Sequence, residues 1–236
     1  MINSYIAVDL ETTGLNPKLE KIIEIGAVKV IDGAICGEYH TLVQPYRELN
    51  EKVRELTGIT DGMLAAAPGI EDCIEDFLEF CEELPLLGHH VIFDYSFLKR
   101  AAVNHRQEFE RKGIDTLLMC RRFMPAESKK TLAAACEYYG LIRQQEHRAL
   151  DDAKAAHQLY QLLQNTCEME KSGDFALKPL IYKVKREHPA SKKQKEDLRY
   201  LLKYHRIEIP VQIEFLSRNE ISRITDKIIS KYGRIN

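Results

Sequence analysis

The apolar run Tyr5-Ile-Ala-Val-Asp-Leu10, followed by two β-rich segments joined at a turn, constrains this chain more than any other feature. A run without polar alternation reads as a strand covered on both faces, so layers must lie above and below it. Residues 22–30 are rich in β-branched side chains, Asp32-Gly33 marks a turn, and residues 35–43 read as the returning strand. Together they predict a hairpin beside the first strand. Residues 49–67 predict short helices around Thr57-Gly-Ile-Thr60. Ile74, Phe77, Leu78 and Cys81 fall at helical spacing, so Glu71, Asp72, Glu75, Asp76, Glu79, Glu82 and Glu83 form a solvated face, not a metal site. Further on, the pattern predicts strands at 86–91 and 114–119 and helices at 95–104, 128–139 and 152–164. A three-strand meander followed by alternating helices and strands makes an α/β mixed sheet flanked by helices.

The chain divides by composition into a domain at 1–170, a linker at 171–190 containing Gly173, Pro179 and Pro189, and a helical module at 191–236. Two capping boxes, Ser191-x-x-Gln194 and Ser217-x-x-Glu220, open the helices of that module. Leu198, Leu201 and Leu202 share one face of the first; Ile221, Ile224, Ile228 and Ile229 line the second. A helical hairpin of about 45 residues is marginal alone, so docking on the main domain or on a partner is expected. Charge divides in the same way. Residues 182–236 carry 14 Lys and Arg against 7 Asp and Glu, whereas residues 1–181 carry 20 against 29. An acidic body with a basic tail fits a nucleic-acid partner, although solvated helix faces alone produce the same balance.

No stretch approaches the roughly 18 continuous apolar residues of a membrane span. The opening Met-Ile-Asn-Ser-Tyr lacks the basic-then-apolar pattern of a secretory signal, so a cytoplasmic protein is expected. Cys36, Cys73, Cys81, Cys120, Cys136 and Cys167 form no C-x-x-C pair and read as reduced, buried thiols.

Asp9 and Glu11 stand two apart at the end of the first strand. Residues i and i+2 project to one side, less than about 7 Å apart. Two carboxylates held that close repel unless a cation lies between them, and a hard oxygen site suits Mg²⁺ or Mn²⁺. The same pair also occurs as plain exposed carboxylates at strand ends. In the following run, Thr12-Thr-Gly-Leu15, Gly14 permits a tight turn and Thr12 and Thr13 offer hydroxyl and amide donors. Far along the chain, His147 precedes Asp152 by five residues, with Asp152 at the first turn of a predicted helix and His147 on the loop before it. An imidazole titrates near neutrality, so the spacing suits a general base beside a metal ligand. His89 reads as structural, and His40, His105, His157, His188 and His205 have no carboxylate companion at a telling spacing.

Three ordered motifs now carry a resemblance. Asp9-Leu-Glu11-Thr-Thr-Gly, Gly88-His-His-Val-Ile-Phe-Asp94-Tyr-Ser-Phe-Leu98 and His147-x-Ala149-x-x-Asp152-Ala153 resemble the three motifs of the DEDDh 3′→5′ exonucleases, the family of the bacterial DNA polymerase III proofreading exonuclease, RNase T and oligoribonuclease. Leu56-Thr-Gly-Ile-Thr60 and Leu132–Leu141 are similar to two weaker blocks, and the likeness spans about residues 1–166. The resemblance implies a ribonuclease H-like fold and a site for two divalent ions, Mg²⁺ or Mn²⁺. It assigns the ligands to Asp9, Glu11, Asp94 and Asp152 and the general base to His147. It places Thr12, Leu15 and Phe93 against the terminal nucleotide. His90 stands where asparagine is usual and Thr57 where some relatives have histidine, so both near-substrate positions bear on preference. The activity implied is removal of 5′-mononucleotides from a single-stranded 3′ end. DNA, in proofreading or repair, is favoured over RNA trimming, and a polymerase-docking subunit with incidental hydrolysis is a reading of another class. The tail, through Ser191-Lys-Lys-Gln and Leu216-Ser-Arg-Asn-Glu-Ile-Ser222, is similar to a small helical module appended to bacterial nucleic-acid proteins, which suits contact with substrate or with a DNA polymerase.

Overall fold

The computed structural model describes residues 2–143, 147–167 and 175–235. Within them the chain forms two compact units, Met1–Pro45 with Leu49–Val184, and Tyr46–Glu48 with Lys185–Asn236.

The first unit is built on a six-stranded sheet of order β3-β2-β1-β4-β5-β6. Strands β1 (Tyr5–Thr12), β2 (Ile22–Ile31) and β3 (Ala34–Leu42) form the antiparallel meander. Beyond β1, β4 (Leu86–Gly88) and β5 (Lys112–Asp115) run parallel to it, and β6 (Lys178–Pro179) closes the edge antiparallel to β5. The helices are α1 (Glu51–Thr57), α2 (Asp61–Leu64), α3 (Ile70–Cys81), α4 (Ile92–Asn104), α5 (Thr116–Phe123), α6 (Leu132–Tyr139) and α7 (Ala149–Cys167).

Alternation along β1 explains why it is apolar throughout. Ile6, Val8 and Leu10 pack with Cys73, Ile74 and Phe77 of α3 and with Leu98 and Ala102 of α4. Tyr5 and Ala7 point the other way, into a core with Leu159, Tyr160 and Leu163 of α7. Asp9 and Glu11 continue this second alternation, as do Glu24 and Gly26 after Val28 and Val30 on β2. Helix α7 therefore covers the face from which these residues project. The acidic positions on α3 and just after it are all exposed.

Two elements differ from expectation. The fifth strand lies at Lys112–Asp115, and the apolar stretch after it is helix α5, because the Asp115 carboxylate accepts from the Leu117 amide and caps a helix there. The strand predicted at 86–91 stops at Gly88, since His90 takes a left-handed φ of 76° and turns the chain into α4. Of the predicted linker, residues 171–174 lie outside the described residues, while residues 175–184, with β6, belong to the sheet unit. Cys36 is exposed, not buried; Cys73, Cys81, Cys120 and Cys136 are buried, and the Cys167 side chain lies outside the described residues.

The second unit packs α8 (Lys192–His205) and α9 (Arg218–Tyr232) around Ala190, Leu198, Leu201, Leu202, Leu216, Ile221 and Ile228. Both capping boxes form, from Ser191 with Gln194 and from Ser217 with Glu220. The stretch Tyr46–Glu48 completes this unit. Tyr46 stacks on Phe215 at 3.6 Å between ring centroids, Arg47 bridges to Val211, and the Arg47 guanidinium meets the buried Glu220 at 3.1 Å.

Candidate active site

The end of β1 gathers carboxylates from three parts of the chain. Asp9 and Glu11 come from β1 itself. Asp94 arrives from the first turn of α4, buried at 3% exposure, and its Oδ1 accepts from the Leu10 amide at 3.1 Å. Asp152 stands in the first turn of α7, at 7% exposure, where the helix dipole favours a negative charge. Ligand atoms of Glu11, His147 and Asp152 all lie within 4.8 Å of one another. His147 holds a left-handed φ of 57°, a conformation that side chains rarely adopt unless the surroundings impose it.

The surroundings disfavour four negative charges. Burial, then Asp94, Asp152 and Glu11, push the Asp9 carboxyl well above the usual carboxylate range. Burial, then Asp152 and Glu24, push Glu11 up to about 8. Asp94 and Asp152 are raised as well, chiefly by burial, although the Arg143 guanidinium bonded to Asp152 opposes the shift there. Such a cluster is stable as carboxylates only with positive charge among them, and its carboxylate oxygens suit hard divalent ions. The residues fit the metal that the motifs imply: Asp9, Glu11, Asp94 and Asp152 would hold it.

The neighbouring positions divide into two kinds. Leu15 is 85% exposed, His90 is exposed and Phe93 is half-buried against Phe97, so all three present surface. The Thr12 hydroxyl donates to the Gly14 carbonyl at 2.8 Å, shaping the loop after β1. The hydroxyls of Thr13 and Thr57 bond within the fold. The Thr13 hydroxyl donates to Glu20 and accepts from the Lys21 amide, at 2.6 and 3.0 Å. That of Thr57 donates to the Val53 carbonyl and accepts from the Ile59 amide, at 2.9 and 3.1 Å. Both hydroxyls are buried and serve the fold. Both ring nitrogens of His89 are likewise engaged, by Thr116 at 3.0 Å and the Lys130 carbonyl at 2.7 Å.

Three residues escaped sequence reasoning. Arg143 pairs with Asp152 across nine residues. Glu24 and Arg148 pair across 124. His40 also has a carboxylate companion after all, Glu24 at 2.7 Å. The available signal was Glu24 itself, a lone carboxylate inside Ile22-Ile-Glu-Ile-Gly-Ala-Val28, since such a residue is seldom buried without a partner.

Residues 6–160 match the model of the family described as Exonuclease. This chain belongs to that family, as a member of its DEDDh 3′→5′ exonucleases. The DNA polymerase III PolC-type of Thermotoga petrophila is 40% identical over 158 residues, covering 66% of this chain and 12% of that protein. The DNA polymerase III subunit epsilon of Aquifex aeolicus is 32% identical over 158 residues, 66% of this chain and 78% of that one. Among solved structures, Exonuclease X in complex with 5′ overhanging duplex DNA is 30% identical with a TM-score of 0.57, covering 69% of this chain and 92% of that one. The nuclease domain of 3′hExo, a DEDDh family member bound to rAMP, has a TM-score of 0.61 over 75% of this chain and 96% of that one, and at 21% identity shares the ribonuclease H-like fold. The family uses divalent metals. Among the described residues, no helix is long and apolar enough to cross a membrane.

Proposed function

We propose that this chain is a cytoplasmic 3′→5′ exonuclease that removes 5′-mononucleotides from the 3′ end of DNA. The observation that carries it is the convergence of Asp9, Glu11, Asp94 and Asp152 with His147 at the end of β1. When bound, a pair of Mg²⁺ or Mn²⁺ ions supplies the positive charge that phosphodiester cleavage demands. His147 takes a proton from the attacking water, whose oxygen bonds to the last phosphorus as the bond to the 3′-oxygen breaks. That oxygen leaves with a proton from solvent and becomes the new 3′ hydroxyl. Leu15 and Phe93 offer apolar surface to the terminal nucleotide, with Thr12 and His90 beside them. DNA is favoured because the relatives at 32–40% identity are DNA polymerase III proteins and the solved relative at 30% was determined with duplex DNA.

We assign the basic C-terminal stretch, residues 182–236, to contact with nucleic acid or with a polymerase, on its 14 Lys and Arg against 7 Asp and Glu. Degradation measured across single-stranded DNA, duplexes with mismatched 3′ ends and matched RNA tests the substrate assignment, and faster trimming of RNA would overturn it. His147→Ala should slow turnover by a factor on the order of 10²–10⁴ while leaving Mn²⁺ binding in place.

A further inference from the structure

Glu24 is fully buried on β2, in register with Glu11 of β1. A second carboxylate beside an acidic cluster adds repulsion, so its presence requires a compensating role. Its bonds show where that role lies. Oε1 accepts from Arg148 Nη2 at 2.7 Å and Nε at 3.0 Å, and meets His40 Nε2 at 2.7 Å. Oε2 accepts from the Ala149 amide at 3.0 Å, with Arg148 Nε at 3.3 Å. Both carboxylate oxygens therefore grip the two residues that follow His147, one through a guanidinium fork and one through the backbone. Charge-assisted and bidentate bonds of this kind fix orientation as well as energy.

The backbone around the grip is equally restrictive. A methyl group added at Gly26, two residues along the same face of β2, would lie 2.1 Å from Leu150 N and 2.2 Å from Ala149 C. The start of α7 thus lies directly on the strand. His147 enters this seat in the left-handed region, and the Arg148 carbonyl accepts from the Asp152 amide at 3.0 Å to open the helix. A loop residue held in a rare conformation needs its neighbours pinned, and Glu24 pins the two that follow it.

We propose that Glu24 is a positioning residue, acting with Arg148 and His40 to hold the His147 imidazole in reach of Glu11 and Asp152. The inference rests on the reading of His147 as the base. Both Glu24 oxygens are taken up by Arg148, His40 and the Ala149 amide, so Glu24 acts through them. Its removal should therefore lower the rate of the bond-breaking step and spare substrate and metal binding.

Single-turnover release of mononucleotides from a 3′-labelled strand tests this in Glu24→Gln, Arg148→Ala, His147→Ala and the pairwise combinations. Arg148 is partly exposed, so its variant keeps the test available if the buried Glu24→Gln does not fold. Each of the two should lose rate by about 10²-fold, the scale of a misplaced catalytic group, with unchanged KM and unchanged Mn²⁺ affinity by calorimetry. Placed in the His147→Ala background, neither should cost anything further, because residues acting as a unit are not additive. Losses that multiply in that background, or that appear in KM and Mn²⁺ affinity, would overturn the positioning role. A His147→Ala enzyme as fast as the parent would instead remove the base assignment on which it rests, so the two failures are distinguishable.

Discussion

Asp9 lies among Asp94, Asp152, Glu11 and Glu24, and those charges together with burial make its ionised form unfavourable in the protein alone. The consequence for stability has a definite sign. A carboxyl raised above its ordinary value of about 4 binds its proton more tightly in the folded state. Its contribution to stability is complete below about pH 4 and is lost as pH rises through the folded value, which for Glu11 is about 8. Metal-free protein should therefore melt at progressively lower temperature between those limits. A divalent ion favours the ionised cluster, so the gain in Tm on adding Mn²⁺ should be larger at pH 8 than at pH 5.5, with protons released on binding. Thermal melts in chelator and in Mn²⁺ across this range measure it; a gain that shrinks with rising pH would contradict the carboxylate cage.

At the scale of elements, the site depends on α7 lying against β1 and β2, and Gly26 is where that contact has no room. Gly26→Ala forces its new methyl into the backbone of Ala149 and Leu150, and overpacking of this kind costs about 1–3 kcal/mol. Calorimetry should show a lowered Tm together with slower catalysis, whereas an unchanged melt would mean that α7 docks elsewhere. Much of this architecture was legible from the residues. The meander follows from the β-rich runs around Asp32-Gly33, α3 from its spacing, and α8 and α9 from their capping boxes. Strand β5 and α5 were exchanged in part, because a short apolar run such as Leu117-Leu-Met119 has no period of its own and the Asp115 cap decides it. The candidate site positions were legible because Asp9 with Glu11, and His147 with Asp152, lie close in sequence. The supports were not, since Glu24 and Arg148 meet only after 124 residues have folded between them, and the hydroxyls of Thr13 and Thr57 turn inward through bonds that no spacing reveals.

In the whole molecule, an acidic body carries a basic second unit, and exposed Lys192, Lys193 and Lys203 lie on its α8. If they neutralise phosphates, their joint replacement by Ala should flatten the dependence of log affinity on log salt for single-stranded DNA by about 2, near 0.7 for each phosphate no longer neutralised. A titration series over salt concentration measures that slope, and an unaltered slope would assign the basic unit to a protein partner. The body's chemistry is tested most directly by following one single-stranded DNA, labelled in turn at its 3′ and 5′ ends, with Mg²⁺ or with chelator. Prompt release of the 3′ label as a 5′-mononucleotide is expected, dependent on the ion and abolished in Asp9→Ala and Asp152→Ala. Release that begins at the 5′ end, persists in chelator or survives either substitution would contradict the metal-dependent 3′→5′ assignment.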